Sequence, residues 1–409
     1  MKTWVNYLAA ALMALVATLT VGQSPRFATI MTDITIVYGQ VGLCILFLLI
    51  LCSFTSGIAS LRKDAQLKTA FWSSILWAVV TTVIVALVAA GVFLLLPTKF
   101  PATSTTGSDS SLLSSFPFGT FMQRFLTFRL TGSLDTLLLP LLIVCFVIGY
   151  FLKPNVEVIR PAYVVTNSFS ELMFRLSRAF TTTSWLLVFF ASASFFSGIW
   201  NEGSLFVASR FLEMLLAGCA AVVLVILPLL FAIFTKFKVN PYQMIYRSIA
   251  SLAIGLFTGD ILLSQVIGQP ITRHNLGCQK RVSATALPFF ALIARGGSAM
   301  LGAISAMALV YSATNAVPQW NVLLFIALAA AAASFCSSLG FGSETLLVTV
   351  LALRMLGINL YGAEVTLLAF LPLINGLGVM LDNLIANMGA AYLCQHMNVR
   401  INNPYRYIL

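Results

Sequence analysis

Charged residues are scarce in this chain. Only 9% of its 409 residues are Asp, Glu, Lys or Arg, and 60% are hydrophobic, whereas about a quarter of the residues in soluble domains are charged. A water-soluble fold cannot hide this much apolar surface, so lipid must be the solvent for most of it. At about 20 residues per spanning helix, the length allows roughly eight to ten membrane crossings, which leaves no room for a soluble catalytic module.

Histidine is nearly absent, and cysteine forms no recognisable motif. His274 and His396 both fall in predicted cytoplasmic loops, outside any Ser-His-Asp or His-Glu-x-x-His arrangement. The seven cysteines lie mostly in apolar runs and form no Cys-x-x-Cys pair. We therefore expect no enzyme activity, no metal site and no cofactor. The chain also lacks an Asn-x-Ser/Thr sequon, which favours a bacterial inner membrane.

Acidic residues are outnumbered by basic ones, 12 to 23, which gives a net charge of +11. Most of the basic residues stand at the ends of apolar runs, where the positive-inside rule accounts for them without a nucleic-acid partner. The clusters are Arg62, Lys63 and Lys68, then Lys153 and Arg160, then Lys236, Lys238 and Arg247. This distribution predicts cytoplasmic N- and C-termini, an external loop near 97–131 and a surround of membrane lipids.

The apolar segments predict eight spanning helices. They fall at about 4–22, 34–60, 69–96, 133–152, 165–199, 205–235, 283–313 and 364–393. Two further apolar segments are interrupted, 247–275 by Thr258-Gly-Asp260 and 320–357 by a polar stretch at 337–344. We interpret these two as re-entrant helical hairpins with tips at 258–264 and 337–343. The expected fold class is an all-α integral membrane protein with eight transmembrane helices and two re-entrant hairpins.

The interrupted segments also indicate where function lies. Irregular backbone at membrane depth is tolerated only where it is buried in protein or lines a watery cavity. Two interrupted segments of opposite topology mark the binding site of many secondary transporters. We therefore place the substrate pathway between residues 255 and 391.

Several short sequence motifs in the chain are similar to those of one family. They are Ser56-Gly-Ile-Ala-Ser-Leu61, Asn240-Pro-Tyr242, Lys280-Arg-Val-Ser283, Gly297-Ser-Ala-Met300 and Asn387. In order and spacing they resemble the glutamate transporter family, the dicarboxylate/amino acid:cation symporters of solute carrier family 1. The resemblance implies a homotrimer and an elevator-type transporter.

The resemblance also implies a division of the chain into domains. Residues 1–60 would form scaffold helices one and two, and 132–204 scaffold helices four and five. Residues 61–100 would form helix three of a moving transport domain, and 101–131 an external loop. The rest of the transport domain would be 205–409, with helix six, hairpin one, helix seven, hairpin two and helix eight.

The departures from the family pattern concern the cation sites. The family's Asn-Met-Asp-Gly-Thr motif corresponds here to Ala294-Arg-Gly-Gly-Ser298. Counting from Asn387, the family's substrate-binding Asp and Arg correspond to Met380 and Asn383, and its final sodium-ligating Asp to Ala391. Sodium prefers hard oxygen ligands. We therefore expect no sodium coupling, and the resemblance does not imply an acidic amino acid as substrate.

New charges stand at predicted membrane depth, where ionisable groups are costly and mark function by default. Arg295 either pairs with Asp260, Glu344 or Asp382, standing in for a lost sodium ion, or clamps a substrate carboxylate with its planar fork. The same three acids are the candidates for carrying a coupled proton. Asp382 lies two residues beyond the family's acid position, a turn of about 200° on a helix, so its role stays open.

These residues and their neighbours make up the predicted site. The predicted substrate-binding residues are Arg295, Ser298, Asp260, Ser264, Ser337, Ser338, Gly340, Asn383 and Asn387. The resemblance implies that Gly340 and Gly342 let the second hairpin tip open as a gate. The expected function is secondary active transport of a small amino acid or organic anion. The alternative is a channel-like protein or a non-transporting substrate sensor on the same scaffold.

Overall fold

The structure is a computed structural model that describes residues 3–22, 24–101, 138–152, 155–201, 209–337, 344–355 and 367–399. Within these ranges every regular element is helical. Most of the predicted external loop, and the tip of the second predicted hairpin at 338–343, lie outside the described residues.

The first part of the chain forms nine helices within the described residues. They are α1 (Thr3–Val21), α2 (Pro25–Leu49), α3 (Thr55–Lys63), α4 (Leu67–Leu95), α5 (Leu138–Phe151), α6 (Arg160–Thr183), α7 (Trp185–Asn201), α8 (Ser209–Ala221) and α9 (Leu227–Phe234). One π-helical turn, Ile50–Phe54, joins α2 to α3, and another, Val222–Ile226, joins α8 to α9.

The second part is built of shorter helices that come in broken pairs. They are α10 (Pro241–Thr258), α11 (Ile261–His274), α12 (Lys280–Ile293), α13 (Gly296–Thr314), α14 (Trp320–Ser337) and α15 (Glu344–Met355), followed by the long α16 (Leu367–His396). Helix α10 packs against α11, and α14 packs against α15. The first predicted hairpin segment is therefore not one continuous helix. In the second, the described residues form two helices that pack on each other, on either side of 338–343.

Local chemistry explains the break between α10 and α11. Helix α10 begins at Asn240, whose side chain accepts a hydrogen bond from Tyr242 N at 3.0 Å, with Pro241 in the first helical position. It ends at Gly259, in the left-handed conformation with φ +62°, which glycine adopts without steric cost. Asp260 then caps α11, because its Oδ1 accepts from Leu262 N at 2.8 Å and Leu263 N at 3.2 Å.

Among the described residues, six helical stretches are long and apolar enough to cross a membrane, or seven if α6 and α7 form one bent span. The predicted span 133–152 is described only from Leu138, as the 14-residue α5. This pattern of apolar helices is that of an integral membrane protein.

Two predicted boundaries were wrong. The second span begins at Pro25 instead of 34, because Thr32 and Thr35 turn their hydroxyls onto the carbonyls of Ala28 and Met31 and remain within the helix. The predicted segment 165–199 is broken at Ser184, with a bend of 54° between α6 and α7. Consecutive hydroxyl side chains from Thr181 to Ser184 bond to carbonyls one turn back, and such back-bonding bends helices.

Helix α13 lies at the centre of the second part. Its residues are buried from Gly296 to Val310, and it packs against α4, α14, α15 and α16. A helix that is apolar on all sides is expected in such a position. Trp77 of α4 packs against α16, where its indole N–H donates to Ile385 O at 3.1 Å and its ring stacks on Tyr392.

An ion cluster ties the turn between α11 and α12 to the first part of the chain. Glu171 of α6 pairs with Arg273 at 3.1 Å and with Lys280 at 3.4 Å. Arg281 pairs with Asp64, just after α3. Partly exposed pairs of this kind contribute little to stability, so the cluster orients the turn more than it holds the fold together.

Candidate functional site

The central feature of the site is a break between α12 and α13. Helix α12 ends at Ile293 and α13 begins at Gly296, which leaves Ala294 and Arg295 outside regular helix. The first N–H groups of a helix have no partner within the helix and carry a partial positive charge. Here those groups are buried inside the protein, so another element has to satisfy them.

Asp382 of α16 satisfies them. Its Oδ1 accepts from Gly297 N at 2.6 Å and from Ser298 N at 3.2 Å, and its Oδ2 accepts from the Ser298 hydroxyl at 2.5 Å. Arg295 Nη1 lies 4.0 Å from Asp382 Oδ2. Arg295 and Asp382 are 2% and 0% exposed, so this is a buried ion pair in which the carboxylate also binds a helix N-terminus.

Glycine permits this geometry. A Cβ built on Gly297 would lie 2.4 Å from Leu381 Cβ and 2.5 Å from Gly378 O, which is closer than any real contact. Helices α13 and α16 therefore approach each other at a distance that only glycine allows at this position. That approach brings the carboxylate of Asp382 within reach of the helix terminus.

The other acids of the predicted site are placed differently. Asp260 caps α11 at the break after α10. Glu344 begins α15, and its side chain lies outside the described residues. Of the three acids proposed as partners of Arg295, the structure places Asp382 beside it.

A residue that the sequence interpretation missed links the two broken pairs. Asn375 of α16 donates from Nδ2 to Gly259 O at 2.7 Å, at the break between α10 and α11. The hydroxyl of Thr345, in the first turn of α15, donates to Asn375 Oδ1 at 3.2 Å. One buried amide therefore bridges both pairs. A polar residue in the apolar first half of α16 was the available signal.

Asn383 and Asn387 belong to a second group of polar side chains, which we call the amide cluster: Gln265 and Gln269 of α11 with Asn383 and Asn387 of α16. All four are at most 2% exposed. A Cβ built on Gly268 would lie 3.7 Å from Asn387 Oδ1, 3.8 Å from Gln265 Oε1 and 3.9 Å from Asn383 Oδ1. Three amide oxygens thus converge over one glycine.

The amide cluster is only partly satisfied by the described residues. Both polar atoms of the Gln265 side chain, Nε2 of Gln269 and Oδ1 of Asn383 are buried without a hydrogen-bond partner among the described residues. Each such atom costs about 1–3 kcal/mol of folding free energy. The sequence interpretation included Asn383 and Asn387 but missed Gln265 and Gln269, although each pair is spaced four residues apart and so shares a helix face.

The remaining residues of the predicted site are either bonded within their own helix or lie outside the described residues. Ser264 is buried in the first turn of α11, where its hydroxyl donates to Ile261 O at 2.7 Å. Ser337 ends α14, and its side chain lies outside the described residues. Ser338, Gly340 and Gly342 also lie outside them, so the gate stays a prediction.

Comparison with known proteins agrees with the family resemblance. The sequence matches the family model described as the sodium:dicarboxylate symporter family over residues 4–397. A search of curated proteins found no match. The family match covers both broken helix pairs, Arg295 and the amide cluster, and it confirms the resemblance inferred from the local strings. The chain therefore belongs to the sodium:dicarboxylate symporter family.

Proposed function

We propose that this protein is a secondary active transporter that moves a small amino acid or organic anion across the membrane without coupling to sodium. Its family is one of membrane transporters and not of enzymes.

The Arg295–Asp382 pair is the observation that carries the proposal. The positions where the resemblance implies sodium-binding acids are Gly296 and Ala391, both buried and without side-chain oxygen. Asp382 accepts three hydrogen bonds from Gly297 and Ser298, and the permanent charge of Arg295 lies next to it. A carboxylate already compensated in this way attracts a further cation weakly. The guanidinium thus supplies, as part of the chain, the positive charge that a sodium ion brings in a coupled transporter.

Coupling to protons, or no coupling, follows from the same argument. Asp260, Glu344 and Asp382 are the carboxyl groups available to bind a proton. Of these, Asp260 is half-buried at the break between α10 and α11, where a proton would have to compete with the capping bonds of α11.

We further propose an elevator-like movement in a homotrimer. Helices α1 and α2 pack on α7, and α10 and α13 pack on α16, which supports a scaffold of α1–α3 and α5–α7. The moving domain would consist of α4 and α8–α16. The bridge through Asn375 lets both broken pairs move as one body with α16.

Solute counterflow in proteoliposomes tests whether the protein transports at all. Vesicles are loaded with unlabelled amino acids or dicarboxylates, and entry of the labelled solute is followed against protein-free vesicles. A transporter exchanges the label until it equilibrates. Solute-dependent thermal stabilisation of the purified protein without counterflow would contradict transport and favour a sensor.

A further inference from the structure

The amide cluster has fixed hydrogen-bond directions. Asn383 Nδ2 donates to Ser251 O at 2.8 Å, and a carbonyl oxygen only accepts, so the Asn383 amide cannot be flipped. Asn387 Nδ2 donates to Ser251 Oγ at 2.8 Å, and that hydroxyl donates its own proton to Ser248 O at 2.9 Å. Both asparagines therefore keep their oxygens directed towards Gly268.

The oxygens of these two asparagines are not fully supplied with hydrogen-bond donors. Asn383 Oδ1 has no partner among the described residues. Within the described part of the chain, the donor for Asn387 Oδ1 is the Thr272 hydroxyl, at 3.2 Å, and this hydroxyl lies closer to Gly268 O, at 2.7 Å. A single hydroxyl proton cannot serve both acceptors fully. At least two converging oxygens thus lack a full donor.

The glutamines of α11 add unmet donors beside these acceptors. Gln265 has no partner at either end of its amide, and Gln269 has none at Nε2, among the described residues. Buried polar groups of a folded protein are normally paired. Two of the unpaired atoms, Gln265 Oε1 and Asn383 Oδ1, lie within 4 Å of one point over Gly268. A group of unpaired atoms around such a point indicates a ligand that completes the pairing.

Resting on the proposed transport function, we propose that the amide cluster binds the carboxamide group of the transported solute. The –NH2 of a carboxamide offers two donors to Asn383 Oδ1 and Asn387 Oδ1, and its C=O accepts from a glutamine Nε2. A carboxylate offers acceptors only. Its negative charge would also be repelled by the oxygens of Asn383 and Asn387. An ammonium group would bring a charge into four uncharged side chains and leave the glutamine donors unmet.

Matched amino-acid pairs give the test. Glutamine and glutamate, or asparagine and aspartate, differ only by –NH2 in place of O⁻. Equilibrium binding to the purified full-length protein is measured by isothermal titration for all four, in choline, potassium and sodium buffers. A site that pairs with the amide rejects the acid by at least about tenfold. An acid that binds as tightly as its amide, or binding of neither member of both pairs, overturns the proposal.

Two variants distinguish whether the amide cluster binds solute or serves only the structure. Gln265→Leu removes two unpaired buried atoms, so it should raise the melting temperature while reducing carboxamide binding at least about tenfold. Ser305→Ala is the control, because Ser305 Oγ is also buried without a partner in the described part of the chain but lies outside the cluster. This variant should leave carboxamide binding unchanged. A Gln265→Leu protein that binds carboxamides normally, or that loses only a sodium- or potassium-dependent stabilisation, contradicts the proposal.

Binding and transport can fail separately. Carboxamide binding without counterflow would uphold this site and contradict the proposed transport function. Counterflow of dicarboxylates with no binding of carboxamides would uphold transport and reject this site.

Discussion

At the scale of single residues, the carboxylate of Asp382 serves two positive groups at once. It accepts hydrogen bonds at the N-terminus of α13 and lies beside the guanidinium of Arg295. A buried ion pair is not stabilising by itself, but loss of one partner leaves an uncompensated buried charge. The two residues should therefore behave as a unit in mutagenesis.

Asp382→Asn should lower the stability of the protein by about 3–5 kcal/mol, because the charge of Arg295 then remains buried without its carboxylate. The double variant Asp382→Asn with Arg295→Gln should recover part of that loss. Melting temperatures in detergent provide the measurement. Arg210→Gln, which removes an exposed pair with Glu213, is the matched control and should change little. Strictly additive losses in the double variant would show that the pair is not coupled.

Arg295→Lys distinguishes an internal counter-charge from a substrate clamp. We expect a lower melting temperature with near-normal solute affinity, since a lysine keeps the charge but loses the planar shape and the further N–H donors of the guanidinium. Thermal melting and titration with the solute found by counterflow give the two readouts. A strong loss of affinity at an unchanged melting temperature would instead make Arg295 a substrate ligand.

At the scale of helical elements, the breaks were the easiest features to predict. Gly259-Asp260 and Arg295-Gly-Gly interrupt apolar segments, and the structure ends and begins helices at both places. What the sequence did not indicate is which element would satisfy each broken end. Asp382 lies 85 residues from Gly297 along the chain, and Asn375 lies 116 from Gly259, so only the folded packing brings them together.

The close approach of α13 and α16 predicts a severe effect of Gly297→Ala. The added Cβ meets backbone as well as side-chain atoms, so the helices must separate, at a cost of at least about 1–3 kcal/mol. Gly91→Ala in α4 is the control, because its Cβ meets nothing within 4 Å. It should be neutral or stabilising by about 0.5–1 kcal/mol. The measurement is the melting temperature of the two variants, compared side by side. Equal melting temperatures would contradict the close approach of α13 and α16.

Because Asn375 bonds to both broken helix pairs, its loss should destabilise the backbone of both pairs together. Asn375→Ala should speed backbone hydrogen exchange both around Gly259 and in the first turn of α15. Thr345→Val removes only one of the two bonds and should affect α15 alone. Hydrogen exchange followed by mass spectrometry resolves both regions. Unchanged exchange at Gly259 in Asn375→Ala would show that the amide does not hold the break.

At the scale of the whole molecule, the sequence predicted the family and an integral membrane protein built of apolar helices. Composition and the positions of basic residues carry that information because lipid imposes it on every helix. The amide cluster was predicted in part: Asn383 and Asn387 came from the family pattern, whereas Gln265 and Gln269 depend on how α11 faces α16. Facing surfaces depend on tertiary packing, which one sequence does not reveal.

If the fixed ion pair of Arg295 and Asp382 replaces the coupled cation, transport needs no sodium. Uptake of the solute identified by counterflow should be measured in proteoliposomes with sodium replaced by potassium or choline on both sides of the membrane. We expect the same initial rate in all three media. Uptake that collapses when sodium is withdrawn, and returns when it is restored, would contradict it.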